Sequence, residues 1–146
     1  MTDAESMGIS SERQDELVAA ARNAANHAYV PYSNFPVGAA VLTASGDIVS
    51  GVNIENASYG LTICGERVAI QTAAAQGHRT IIAVAVSAPR APGTTPCGAC
   101  RQVINEFKSP ENDVAVLLDF VDSVKMVPFS ELLPLSFGPR DLDRAT

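Results

Sequence analysis

Basic residues are scarce in this chain. Ten lysines and arginines stand against sixteen aspartates and glutamates, a net charge of −6. A nucleic-acid backbone needs a basic face to release counterions, so this balance argues against a polynucleotide ligand and leaves room for a small uncharged one. No apolar run approaches the ~20 residues of a membrane span. Met1 to Ser10 are polar and lack a cationic stretch followed by an apolar one, so no targeting segment is read there and a cytoplasmic location is expected. Charged residues make up only 18% against 47% hydrophobic, which excludes a disordered chain. There are two histidines and three cysteines. Three thiols cannot all pair internally, and in a reducing compartment clustered cysteines read as metal ligands or redox groups before disulfides.

The 146 residues suit one domain with a real core. Residues 1–10 read as a flexible tail and 11–146 as a single domain. Ser11 and Gln14 fit a capping box, and Leu17, Ala21, Ala24, Ala25 and Ala28 recur at helical spacing until Pro31 stops the helix. Val37–Thr43 and Ile48–Ile54 read as a hairpin turned at Ser45-Gly46, with Gly38 marking a close approach. A second helix is expected from Gly65 through Ala75, ended by Gly77. Ile81–Ser87 reads as a strand covered on both faces. A third helix is expected over 98–108, then strands over 114–118 and 124–127, a helical turn over 130–133 and a Pro/Gly tail bearing Phe137. This order predicts an α/β fold, a three-layer α/β/α sandwich around a mixed five-stranded sheet.

All three cysteines fall at predicted helix starts. Cys97 and Cys100 are one turn apart, so both sulfurs reach one metal, and Cys64 opens the other helix. Helix N-termini favour thiolates over thiols. Three sulfur ligands leave one position of a tetrahedral zinc open, and Glu66 beside Cys64 suits a general acid/base acting on water there. The bland alternative is an N-terminal glutamate stabilised by the helix dipole. Three thiolates and Zn²⁺ sum to −1, so a nearby cation is required. Arg67 and Arg101 each follow a cysteine motif, and either suits a donor to a ligand sulfur, with a solvated helix position as the alternative. A closed structural zinc needs a fourth ligand, and neither His27 nor His78 has ligand spacing. A thioredoxin-like C-x-x-C leaves Cys64 and Glu66 unexplained.

The match from about Tyr32 to Pro139 is specific. It comprises Tyr32-Ser33-Asn34-Phe35-Pro36-Val37-Gly38, Gly51-Val52-Asn53-Ile54-Glu55-Asn56-Ala57-Ser58-Tyr59, Cys64-Gly65-Glu66-Arg67, Pro96-Cys97-Gly98-Ala99-Cys100-Arg101-Gln102 and Leu132-Leu133-Pro134-Leu135-Ser136-Phe137-Gly138-Pro139. On these residues the sequence resembles the small homotetrameric, zinc-dependent cytidine deaminases that act on free nucleosides. The resemblance implies one zinc per subunit on Cys64, Cys97 and Cys100, and Glu66 as the proton carrier. It implies hydrolysis of cytidine and 2′-deoxycytidine to uridine and 2′-deoxyuridine, with release of ammonia. Asn53 and Glu55 are implied to hydrogen-bond the ribose 3′-hydroxyl, Phe35 to stack near the base, and the Gly65 amide to help hold the base. Phe137 is implied to cover a neighbouring subunit's site and Tyr59 to contribute across an interface. Many family members carry Ala at the position of Gly65, a change expected to loosen the helix start slightly. Rival readings are a blasticidin-type deaminase on the same scaffold, a polynucleotide deaminase, which the acidic charge disfavours, and a non-enzymatic zinc-stabilised domain.

Overall fold

The computed structural model describes residues 3–145. Five strands form one sheet in the order β2-β1-β3-β4-β5, with β1 Gly38–Thr43, β2 Ile48–Val52, β3 Ile81–Ser87, β4 Ala115–Asp119 and β5 Val124–Pro128. β3 and β4 run parallel and every other pair is antiparallel. The expected mixed five-stranded sheet is therefore observed.

Alternation along the strands builds the three layers. On one face Ala40, Ala83, Ala85 and Ala115 meet Leu17, Val18 and Ala21 of helix α2, Ser11–Ala25. Small residues on both sides let this helix lie close to the sheet. A Cβ on Gly38 would sit 2.0 Å from the Ala21 carbonyl oxygen, so only glycine fits there. On the other face Val41, Val84, Val86 and Val116 meet Ala69, Ile70 and Ala73 of α3, Gly65–Ala75, and Ile104 of α4, Gly98–Glu106. Side chains of alternate strand residues point to opposite faces, so one run such as Ile81–Ser87 feeds both cores.

The ends of α2 differ from expectation. Its N-cap is Ser10, whose Oγ accepts from Arg13 N at 3.2 Å, while Gln14 Nε2 donates to the Ile9 carbonyl at 2.9 Å. The helix stops at Ala25, well before Pro31. Of the ten residues read as a tail, 1 and 2 lie outside the described ones. The rest include a helical turn, α1, Asp3–Ser6, and bury Ala4 and Ile9 against the α2 face of the sheet, which corrects the loose-tail expectation. Two buried apolar side chains five residues apart are too few to signal a packed segment.

α2 is also tied to the sheet by charge. Arg22 donates Nε and Nη2 to Asp119 Oδ2 and Oδ1, both at 2.7 Å, and Ser87 Oγ donates to Asp119 Oδ2 at 2.8 Å. Two short helices follow the last strand, α5 Phe129–Leu132 and α6 Pro139–Ala145, the second of which was not expected from the sequence. Among the described residues no helix is long and apolar enough to cross a membrane.

Candidate active site

The starts of α3 and α4 converge on the same side of the sheet. Cys64 is the N-cap of α3 and Cys97 the N-cap of α4, both with extended backbone, and Cys100 lies in the first turn of α4. What seats α3 is Gly51 of β2. A Cβ there would lie 2.4 Å from Ala69 N and 2.6 Å from the Gly65 carbonyl, so the strand must be bare beneath the helix.

The three thiols come together. Cys64 Sγ lies 3.8 Å from Cys97 Sγ, and Cys97 Sγ lies 3.5 Å from Cys100 Sγ. All three sulfurs fall within 4.8 Å of one another. A tetrahedral zinc with Zn–S bonds of about 2.3 Å spaces its sulfurs about 3.8 Å apart, so the cluster fits that ion. The neighbouring Cys100 sulfur, and then the Arg67 guanidinium, bring the Cys64 thiol down to about 5. The closeness of Cys64, with burial, pushes the Cys100 thiol up.

Glu66 is 4% exposed and carries no ion-pair partner among the described residues. Burial raises its carboxyl above the ordinary range, and the negative Cys64 sulfur adds to the effect. Cys100 pulls weakly the other way, and the influence of both Cys64 and Cys100 places the carboxylate beside the thiol cluster. Arg67 Nη2 donates to Cys64 Sγ at 3.4 Å, so the expected cation is in place. Arg101 is not a sulfur donor. It donates Nε to the Pro96 carbonyl at 2.7 Å and Nη1 to the Leu132 carbonyl at 2.8 Å, clamping the approach to Cys97.

Asn53 and Glu55 lie where β2 ends, and both turn toward the preceding aromatic loop. Asn53 Oδ1 accepts from Val37 N at 2.9 Å and its Nδ2 donates to the Phe35 carbonyl at 2.8 Å. Glu55 Oε1 accepts from Tyr32 N at 3.0 Å and Ser33 N at 3.1 Å, and Oε2 accepts from Ser33 Oγ. The Ser33 hydroxyl, followed by these two amides, holds the Glu55 carboxyl below its ordinary range. These two residues therefore fasten the segment carrying half-buried Phe35 beside the start of α3. Gly65 completes the junction, because Asn53 N donates to the Val37 carbonyl at 3.1 Å and a Cβ on Gly65 would lie 3.0 Å from that oxygen.

The remaining two aromatics are peripheral within one chain. Tyr59 is 76% exposed and meets Tyr32 edge to face at 5.8 Å. The two rings border a cleft of ≈ 370 Å³ with Ser33, Glu55 and Thr62. Phe137 is 62% exposed, beyond α4, and its carbonyl accepts from Gln102 and Asn105. Sequence reasoning missed Gly51, the clamp made by Arg101, and Asn105. Only the position of Gln102 beside the second cysteine motif hinted at the contact to Phe137.

Converging thiols beside a buried carboxylate, on helices laid over a mixed sheet, define a metal-binding α/β protein of the deaminase type. The family model described as "Cytidine and deoxycytidylate deaminase zinc-binding region" matches residues 11–116. The chain is 44% identical over 127 residues to a cytidine deaminase of Halalkalibacterium halodurans, covering 87% of this chain and 96% of that one. The crystal structure of cytidine deaminase from Burkholderia pseudomallei superimposes with a TM-score of 0.78 at 43% identity, over 84% of this chain and 98% of that one. A cytidine deaminase from Mycobacterium tuberculosis gives 0.74 at 38% identity, over 86% and 98%. This chain belongs to the cytidine and deoxycytidylate deaminase zinc-binding family.

Proposed function

We propose that this protein is a zinc-dependent cytidine deaminase, converting cytidine and water to uridine and ammonia, and 2′-deoxycytidine likewise to 2′-deoxyuridine. The observation that carries the reading is the meeting of three sulfurs within 4.8 Å beside buried Glu66. Cys64, Cys97 and Cys100 would hold one zinc per subunit. Zinc so held would supply a Lewis acid that acidifies water near neutral pH.

The chain's own residues handle the protons and the substrate. Glu66 takes the first proton that water releases and delivers it to N3 of the base, then takes the second from the hydroxyl now on C4 and passes it to the departing amine. A buried carboxyl with raised proton affinity suits a group that must hold a proton between two transfers. Arg67 offsets the thiolate charge at Cys64. The Gly65 amide and the Phe35 ring face the base. An asparagine amide has two N–H groups and two lone pairs, and Asn53 spends one of each on the loop. One of each remains for the ribose 3′-hydroxyl, and Glu55 Oε2, with one bond made, adds a second acceptor.

Exposed Tyr59 and Phe137 complete the pocket from neighbouring subunits of a homotetramer. Support comes from the exposure of both rings, Tyr59 at 76% with Tyr32 edge to face beside it and Phe137 at 62% two residues past fully exposed Leu135. The net charge of −6 supports a free nucleoside over a nucleic acid as substrate. The reaction fits pyrimidine salvage in the cytoplasm. Ultraviolet monitoring of cytidine loss, with ammonia assayed in parallel and with and without a zinc chelator, tests the reading. Chelator-sensitive loss with one ammonia per cytidine is expected. Loss of blasticidin but not of cytidine, or no ammonia from any cytosine nucleoside, would overturn it.

A further inference from the structure

α4 begins with two of the thiols and holds the C-terminal strap along its flank. Asn105, at 7% exposure, donates Nδ2 to the Phe137 carbonyl at 3.0 Å and accepts at Oδ1 from Ser136 Oγ at 3.3 Å. Gln102 Nε2 donates to the same carbonyl at 2.9 Å. A Cβ on Gly138 would lie 2.7 Å from Asn105 Nδ2, so the strap is bare where the amide crosses it. Beyond, Gly138 N donates to Asp141 Oδ2 at 2.8 Å and Asp141 N donates back to the Gly138 carbonyl at 2.9 Å. At the other end of the strap, Arg101 holds the Leu132 carbonyl. Between these anchors Leu135 is fully exposed with φ +53°, and the Phe137 ring is 62% exposed.

A ring that mostly faces outward cannot be fixed by packing within its own chain. Its position is set by its backbone, and the Phe137 backbone is set from α4. Resting on the reading of Phe137 as a ring that closes a neighbouring pocket, we propose that Asn105 is a positioning residue for the deaminase. Its buried amide seats Ser136 and Phe137 so that the ring is presented already ordered. Ordering the strap before substrate arrives removes that cost from binding, so the effect falls on KM rather than on kcat. Asn105 touches neither thiols nor Glu66 through any of these bonds, which separates it from the proton chemistry.

Two variants break the same contact from opposite sides. Asn105→Asp sets a carboxylate oxygen against the Phe137 carbonyl, and Gly138→Ala pushes the amide away from it. Each variant removes a buried hydrogen bond and should raise KM for cytidine about tenfold or more, with kcat changed less than about threefold. Zinc content should stay at the wild-type level, and hydrogen exchange over residues 133–139 should speed about tenfold. The double variant should be little worse than either single one, because both remove one shared contact. Wild-type KM and exchange in both variants would overturn the proposal, as would a joint fall of kcat and zinc content. If the unmodified protein released no ammonia from cytidine, the proposed function would fail, and the exchange measurement would still decide whether Asn105 holds the strap.

Discussion

Arg67 Nη2 lies 3.4 Å from Cys64 Sγ, and Arg67 Nε, buried in the same corner, has no partner among the described residues. A cation is thus spent on one of three sulfurs. Zinc with three thiolates carries −1, which weakens its pull on a fourth ligand. Arg67→Gln keeps the side chain's bulk and loses its charge. The expected result is wild-type zinc content with kcat about 10- to 100-fold lower. Unchanged turnover in a zinc-loaded Arg67→Gln protein would remove the charge-offset role.

Glu66→Gln replaces the proton carrier by an amide of the same shape. Zinc content should be unchanged, because no ligand is lost. Turnover should fall about a hundred- to ten-thousand-fold, the range for a positioned acid/base. Metal analysis beside initial rates checks both halves, and near-normal rates would reassign the proton transfers.

Asn53→Ala separates a structural from a substrate role. The substitution leaves the Val37 amide and the Phe35 carbonyl without their side-chain partner. Stability to urea should fall by about 1–3 kcal/mol while KM rises. A rise in KM at wild-type stability would mean that the loop contacts contribute nothing and the ribose contact everything.

Gly51→Ala tests how closely α3 must lie on the sheet. Its Cβ would meet Ala69 N at 2.4 Å. Backbone atoms cannot rotate away, so the helix must shift and carry Cys64 and Glu66 with it. Stability should drop by about 1–3 kcal/mol and zinc content should fall with it. A thermal midpoint and zinc content equal to wild type would show that the seat is looser than the distances indicate.

The Arg22–Asp119 pair gives a stability effect away from the chemistry. The Arg22 guanidinium, helped by the Val121 amide and the Ser87 hydroxyl, holds the Asp119 carboxyl at about 2 against an ordinary 3.8. A depressed folded value means that the stabilisation is fully present above the ordinary value and is lost as pH falls through about 2. Asp119→Asn should cost about 2 kcal/mol at neutral pH, and its disadvantage should shrink as pH falls below about 4. A pH-independent gap between the two proteins in urea titrations would contradict the pairing.

Local signals made much of the fold legible. Ile81–Ser87 reads as a doubly covered strand because every residue in it is apolar or small, and it is that strand. Gly65 and Gly98 begin their helices as expected, since the cysteines before them cap with extended backbone. The ends were less legible. α2 stops at Ala25 although nothing in Asn26-His27-Ala28 forbids another turn, and Ser10 rather than Ser11 caps it. α6 has neither apolar periodicity nor a cap of the usual kind, and it is started by Asp141 reaching back to Gly138.

By itself the sequence determined the chemistry on offer: three thiols at two helix starts, an acid next to one of them, and a cation one residue further on. Those facts depend on spacing within a single turn, which is a local property of the chain. Only the tertiary structure decided where the longer side chains go. Arg101 turns to Pro96 and Leu132 instead of a sulfur, Asn53 and Glu55 turn back to the loop before them, and Asn105 reaches the strap 32 residues on. Such side chains have several rotamers of similar energy, and packing between distant segments selects one. That selection is why Cys64-Gly65-Glu66-Arg67 was readable from the sequence and the hold of Asn105 on Phe137 was not.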